Sequence, residues 1–110
     1  DKMIEDAPLT YSSAKAALNR YIINSSFYLA KRNIRINGVS PGNVLFNGSI
    51  WEKKLKENKE EVLKMIKNKV PLNKFIMPED IAEAVAFLSS PLSTSTTGQI
   101  LTIDGGQTTF

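Results

Sequence analysis

The order of local sequence patterns predicts an α/β protein with parallel strands. Two short, alternating, β-branched segments stand at residues 34–40 and 99–103, which is how half-buried strands read. The stretch between them is mostly helical in period, as a crossover between parallel strands requires. Another helical pattern precedes the first strand, so the order is helix, strand, helix, helix, strand. Two parallel strands do not make a stable sheet alone, and parallel sheets bury both faces. The pattern therefore reads as the end of something larger.

Each element has a local reason. Pro8 breaks regular structure, and Thr10 is placed to cap a helix by accepting from a free N–H of its first turn. From residue 11 to about 32, Ala14, Ala17, Leu18, Tyr21, Ile22, Ser25, Tyr28 and Leu29 recur at i, i+3, i+4 spacing and form one stripe. Small residues dominate its first half, which allows another backbone to approach. Lys31 and Arg32 fall where the helix dipole favours cations.

Residues 34–40 follow as the first strand. Asn37-Gly38 is also a hairpin-turn signal, but Pro41-Gly42 follows too soon for a returning strand. Residues 41–48 are loop. Ser49-Ile50-Trp51-Glu52 has capping-box form and opens a helix to about residue 69, with Trp51, Leu55, Val62, Leu63 and Ile66 as its apolar positions. Asn58 interrupts that stripe, so two helical pieces are an open alternative. Pro78 suits the first position of the next helix, and Glu79 and Asp80 suit its positive end. Ile81, Ala84, Val85 and Leu88 make a narrow stripe, stopped by Ser89-Ser90-Pro91. The last strand closes on Asp104-Gly105-Gly106.

Composition excludes whole classes of chemistry. The 110 residues are 42% hydrophobic and 23% charged, ordinary globular usage that argues against disorder. No apolar run approaches the roughly 20 residues a bilayer demands and no signal segment opens the sequence, so the expectation is a cytoplasmic protein without a membrane partner. Cysteine and histidine are both absent. That removes thiolate nucleophiles, disulfides, a Ser-His-Asp triad and the usual zinc sites. Proton transfer near neutral pH is left to Tyr, Lys, Asp and Glu.

The net charge of +3 is concentrated: residues 52–74 hold eight Lys and four Glu, and the rest carries −1. Acidic residues interleave that Lys run and no aromatic platform accompanies it, so nucleic acid is not the expected partner. The run is either a solvated helix face or a basic surface that steers an acidic partner. Trp51 is either a packing anchor or a pocket-lining residue.

Tyr11 and Lys15 are four apart at a helix start, which puts them on one face about one turn apart. A phenol ionises near pH 10, and a neighbouring ammonium favours its phenolate form. Such a pair can move a proton at neutral pH. A packed Tyr beside a solvated Lys has the same spacing, so the pair alone decides nothing.

Four blocks in order give it context: 11–18 (YSSAKAAL), 34–44 (IRINGVSPGNV), 78–88 (PEDIAEAVAFL) and 97–106 (TGQILTIDGG). Together they resemble the C-terminal half of a short-chain dehydrogenase/reductase, across nearly the whole chain, with most likeness to 3-oxoacyl-[acyl-carrier-protein] reductases. The resemblance implies the C-terminal part of a doubly wound, parallel-sheet, Rossmann-like domain over residues 1–110, with the N-terminal dinucleotide-binding half outside them. It implies an NAD(P) cofactor, NAD versus NADP open, and hydride transfer between that cofactor and a carbonyl or secondary alcohol. Tyr11 would give the proton to the carbonyl oxygen, and Lys15 would hold the nicotinamide ribose. Pro41 and Gly42 would let the backbone approach the nicotinamide, and the Val44 backbone would meet its carboxamide. The partners implied are a small-molecule or acyl-thioester substrate and further copies of the chain, as dimer or tetramer.

The departures are specific. Neither G-x-x-x-G-x-G nor G-x-G-x-x-G occurs in the chain, so the phosphate-binding turn is not among these residues, nor is the family's catalytic Ser. Many members carry Thr two residues after the loop Val; Phe46 stands there, which puts a phosphate contact in doubt. The 110 residues alone are therefore expected to be inactive. A non-catalytic assembly module that keeps the fold is the alternative.

Overall fold

The computed structural model describes residues 9–109. The order is α1 (Leu9–Ala30), β1 (Gly38–Pro41), α2 (Ile50–Lys69), α3 (Pro78–Ser89), a 3-10 turn (Pro91–Ser93), β2 (Ile100–Ile103) and a second 3-10 turn (Gln107–Thr109). This is the expected helix, strand, helix, helix, strand. β1 and β2 are neighbours in one two-stranded sheet. Gly38 N–H donates to the Gln99 carbonyl at 2.8 Å and Gly42 N–H to the Ile103 carbonyl at 2.9 Å. Both strands count upward together, so they are parallel. The chain divides into two compact units, one of Asp1–Gly38 with Thr94–Ile100 and the other of Val39–Ser93 with Leu101–Phe110.

In the first unit, α1 begins at Leu9, so Thr10 lies inside the helix rather than capping it; Pro8 falls outside the described residues. The helix also stops two residues earlier than expected. Asn33 takes a left-handed φ of 59°, and Ile34 N–H returns to the Leu29 carbonyl at 3.0 Å, a helix-ending turn. Lys31 and Arg32 thus lie just past the end of the helix. Of the expected stripe, Ile22 is buried, Ser25 and Leu29 are half-buried, and Leu18, Tyr21 and Tyr28 are exposed.

The first strand is shorter than its sequence pattern: before Gly38 one backbone bond, from Gly98 N–H to the Ile36 carbonyl at 2.7 Å, is interleaved with side-chain bonds. Ile36 N–H donates to Thr97 Oγ1 at 3.1 Å, Asn37 Nδ2 donates to the Thr96 carbonyl at 3.0 Å, and Gln99 N–H donates to Asn37 Oδ1 at 3.0 Å. Asn37-Gly38 is therefore not a hairpin. A Cβ on Gly38 would stand 2.9 Å from Cδ1 of both Ile22 and Ile100; the glycine lets helix and strand meet closely.

The second unit holds most of the core: Val62, Ile66, Val70, Ile76 and Ala84 are buried. α2 starts as its capping signal predicts, with Glu52 N–H donating to Ser49 Oγ at 3.2 Å. The Glu52 carboxylate accepts from Gly48 N–H at 3.4 Å, one residue before the expected partner. Asn58, at φ −153° and ψ 72°, breaks the helix internally, so the two-piece alternative is the observed one. Pro78 opens α3, where the Asp80 carboxylate accepts from Met77 N–H at 2.8 Å. Among the described residues, no buried side-chain polar atom lacks a hydrogen-bond partner.

Candidate active site

Tyr11 and Lys15 sit in the first two turns of α1, in the first unit. The i, i+4 spacing works as expected: Lys15 Nζ lies 5.4 Å from the Tyr11 ring centroid, over the ring, within cation–π range. Both residues are exposed, so a reactant can reach the hydroxyl.

Pro41, Gly42 and Val44 fall within four successive residues of the second unit, where β1 runs into its loop. Gly42 is held against the last strand. A Cβ there would lie 2.7 Å from Asp104 Cβ and 2.8 Å from Asp104 Cα, so no other residue fits without moving backbone. Val44 forms a parallel bridge with Ile76. Ile76 N–H donates to the Asn43 carbonyl and Leu45 N–H donates to the Ile76 carbonyl, each at 2.9 Å. In a parallel bridge of this form the central residue's own N–H and C=O face the other way. Val44 thus presents one donor and one acceptor, side by side, away from the segment that holds it. A primary carboxamide offers the complementary donor and acceptor. Phe46 is exposed, and its N–H is taken by Ser49 Oγ at 3.2 Å.

A family model described as Enoyl-(Acyl carrier protein) reductase matches residues 1–108. The chain belongs to the short-chain dehydrogenase/reductase family. It is 36% identical over 99 residues to the 7alpha-hydroxysteroid dehydrogenase of Escherichia coli (strain K12), covering 88% of this chain and 36% of that protein. It is 40% identical over 96 residues to the 3-oxoacyl-[acyl-carrier-protein] reductase FabG of Rickettsia felis, covering 87% of this chain and 37% of that protein. Among solved structures, a 4-hydroxyisoleucine dehydrogenase complexed with NADH superimposes with a TM-score of 0.81 at 30% identity, covering 91% of this chain and 40% of that one. The chain spans little more than a third of the length of these curated relatives. The structural likeness gives it the Rossmann-like α/β fold class.

In this short-chain dehydrogenase/reductase chain, three polar residues behind the loop stand outside the site residues that the sequence predicts. Asn43 Nδ2 donates to Gln107 Oε1 at 2.9 Å. Asp104, only 7% exposed, accepts from Gly106 N–H at 2.9 Å, Thr108 N–H at 3.0 Å and the Thr108 hydroxyl at 2.6 Å. Burial pushes its pKa up, but hydrogen bonds from the Thr108 hydroxyl and the turn's backbone outweigh burial and hold it below the ordinary 3.8. The Asp-Gly-Gly turn was the available signal, since an Asp accepting two residues ahead is a turn-former. Nothing local marked the Asn43–Gln107 pair.

At the head of α2, half-buried Trp51 packs against Phe75 at 5.8 Å between ring centroids, with Lys54 Nζ 4.6 Å from the Trp51 centroid. Trp51 is thus a packing residue with one face under a cation. Two of the helix lysines face glutamates, Lys56 with Glu52 at 3.3 Å and Lys53 with Glu57 at 4.0 Å. A cavity of about 600 Å³ in this unit is lined by Lys74, Ile76, Asp80, Glu83 and Asp104 among others, and by none of the five sequence candidates.

Proposed function

We propose that these residues form the proton-transferring and nicotinamide-side part of an NAD(P)-dependent oxidoreductase, interconverting a carbonyl and a secondary alcohol. The observation that carries this reading is the Tyr11–Lys15 pair, an ammonium held over a phenol ring one helical turn away. When bound, the nicotinamide supplies hydride. Tyr11 holds the proton at its hydroxyl for the carbonyl oxygen; Lys15 orients the ribose and keeps positive charge beside the phenol. The Val44 backbone orients the carboxamide, and Pro41-Gly42 leaves room for it. Family membership and the likeness to a structure solved with NADH support the cofactor.

The test joins residues 1–110 to a glycine-rich dinucleotide-binding half, from the source gene or grafted from the Rickettsia felis relative. Tyr11→Phe is expected to lower kcat by about 10³ while leaving cofactor affinity within about twofold; full activity in Tyr11→Phe overturns the reading. Residues 1–110 without that half are expected neither to bind NADPH tightly nor to turn over, because no phosphate-binding turn occurs in their sequence. Tight binding in titration calorimetry overturns that expectation.

For the substrate, we propose a 3-oxoacyl thioester on an acidic carrier. The 40% identical relative and the basic residues 52–74 support it. Charge reversal at Lys53, Lys54 and Lys56 is expected to slow carrier-linked substrates and spare small free ketones; equal effects on both sink it. A second reading, an assembly module, draws support from the exposed Leu18, Tyr21, Phe27 and Tyr28 on α1. A folded oligomer in light scattering together with an inactive joined protein favours that reading.

A further inference from the structure

A carboxamide read by one backbone N–H and one C=O demands that the loop bearing them stay within a fraction of an ångström, because misplacement of about 1 Å is costly to rate. In this chain the loop is braced from behind at three points. Gly42 N–H donates to the Ile103 carbonyl at 2.9 Å, Ile76 N–H donates to the Asn43 carbonyl at 2.9 Å, and Asn43 Nδ2 donates to Gln107 Oε1 at 2.9 Å. The first two are backbone pairings that any sequence could make. The third needs these two side chains.

Gln107 can serve as a fixed point only if its own turn is fixed, and Asp104 does that. The carboxylate takes hydrogen bonds from Gly106 and Thr108 on either side of Gln107, and Gln107 N–H donates to the Asp104 carbonyl at 3.3 Å. Asp104 is also the residue whose Cα abuts Gly42. A rigid turn therefore touches the loop twice, at Gly42 and at Asn43, within one compact unit.

We propose that Asn43 and Gln107 form a latch, anchored by Asp104, that positions the nicotinamide-side loop. It rests on the cofactor role proposed for Pro41, Gly42 and Val44. Neither side chain is required to touch the cofactor; both are positioning residues. The experiment uses residues 1–110 joined to a dinucleotide-binding half, as above. Gln107→Met keeps the length and removes the acceptor, and Gln107→Glu keeps the acceptor.

In cofactor-free protein, amide exchange at residues 44–46 is expected to quicken about three- to tenfold in Gln107→Met and to return to the parent rate in Gln107→Glu. The dissociation constant for reduced cofactor, from fluorescence titration without substrate, is expected to rise by a similar factor and to be rescued likewise. The cofactor KM follows, while kcat at saturation stays within about twofold. A purely structural side chain would lower the unfolding temperature and leave that split unmoved. Unchanged exchange in Gln107→Met overturns the latch. Faster exchange with unchanged cofactor affinity instead overturns the assignment of the loop to the cofactor.

Discussion

The two compact units differ in what holds them. The first buries one apolar side chain among the described residues, Ile22, and its helix α1 leaves Leu18, Tyr21, Ile23, Phe27 and Tyr28 exposed. The second buries Val62, Ile66, Val70, Ile76 and Ala84 and adds the Asp104 turn. The Tyr11–Lys15 pair rides on the first, the loop of Pro41, Gly42 and Val44 on the second. The pair needs only helical spacing, which a 22-residue helix supplies. The loop must present two backbone atoms from an irregular segment, and irregular backbone keeps its shape only when its surroundings over-determine it.

The largest test of this contrast is truncation in each unit. Ile66 is 2% exposed, so Ile66→Ala is expected to cost about 3 kcal/mol through lost burial and a cavity. Leu18, 52% exposed on α1, is expected to cost under about 0.5 kcal/mol in the same 110 residues. Urea unfolding of both variants measures the difference. Equal costs would mean that something covers α1, and the contrast would fail.

Next comes acid. The first unit's side-chain bonds to Thr96, Thr97 and Gln99 come from the Arg35 guanidinium and from amide and hydroxyl groups, none of them a carboxylate. The second unit's bracing includes a carboxylate, Asp104. Because the folded pKa of Asp104 lies below the ordinary 3.8, its contribution is complete above that value and is lost as pH falls from it toward the folded pKa. Asp104→Ala is expected to cost about 2 kcal/mol at neutral pH, from unpaired donors in the turn. Asp104→Asn is expected to flatten the decline of the unfolding midpoint below pH 3.8. An unchanged acid limb in Asp104→Asn would show that another carboxylate governs it.

What the sequence disclosed follows the same division. Spacing revealed Tyr11 with Lys15, the Ser49 cap, the Pro78 start and the weak point at Asn58, because each is a rule about near neighbours. Periodicity marked the apolar stripe of α1 but could not say how much of it is covered, since that depends on elements distant in sequence. The first strand is shorter than alternation predicts because Asn37 and Thr97 side chains take the place of some backbone partners, which alternation does not register. The Asn43–Gln107 contact joins residues 64 apart, and two amides at that separation form no pattern. Pro41, Gly42 and Val44 were legible as site candidates only by resemblance; the close approach at Gly42 and the bridge at Val44 depend on Asp104 and Ile76, which are distant in sequence.

The smallest expected effect separates two glycines of the same sheet. Gly42→Ala brings a Cβ within 2.8 Å of Asp104 Cα, and backbone cannot rotate aside. The sheet must open there, at about 2 kcal/mol, and the loop moves with it. Gly38→Ala meets only the tips of Ile22 and Ile100, each at 2.9 Å. Those methyls can turn away, and alanine restricts the unfolded chain, which recovers roughly 0.4–1 kcal/mol. The net cost at Gly38 is expected to be under about 1 kcal/mol, read from unfolding midpoints of the two variants. If Gly38→Ala proves the more damaging, the helix-to-strand contact is the rigid one. The view that the loop at 41–44, rather than the helix bearing Tyr11, is the over-determined part of this molecule would then have to be reversed.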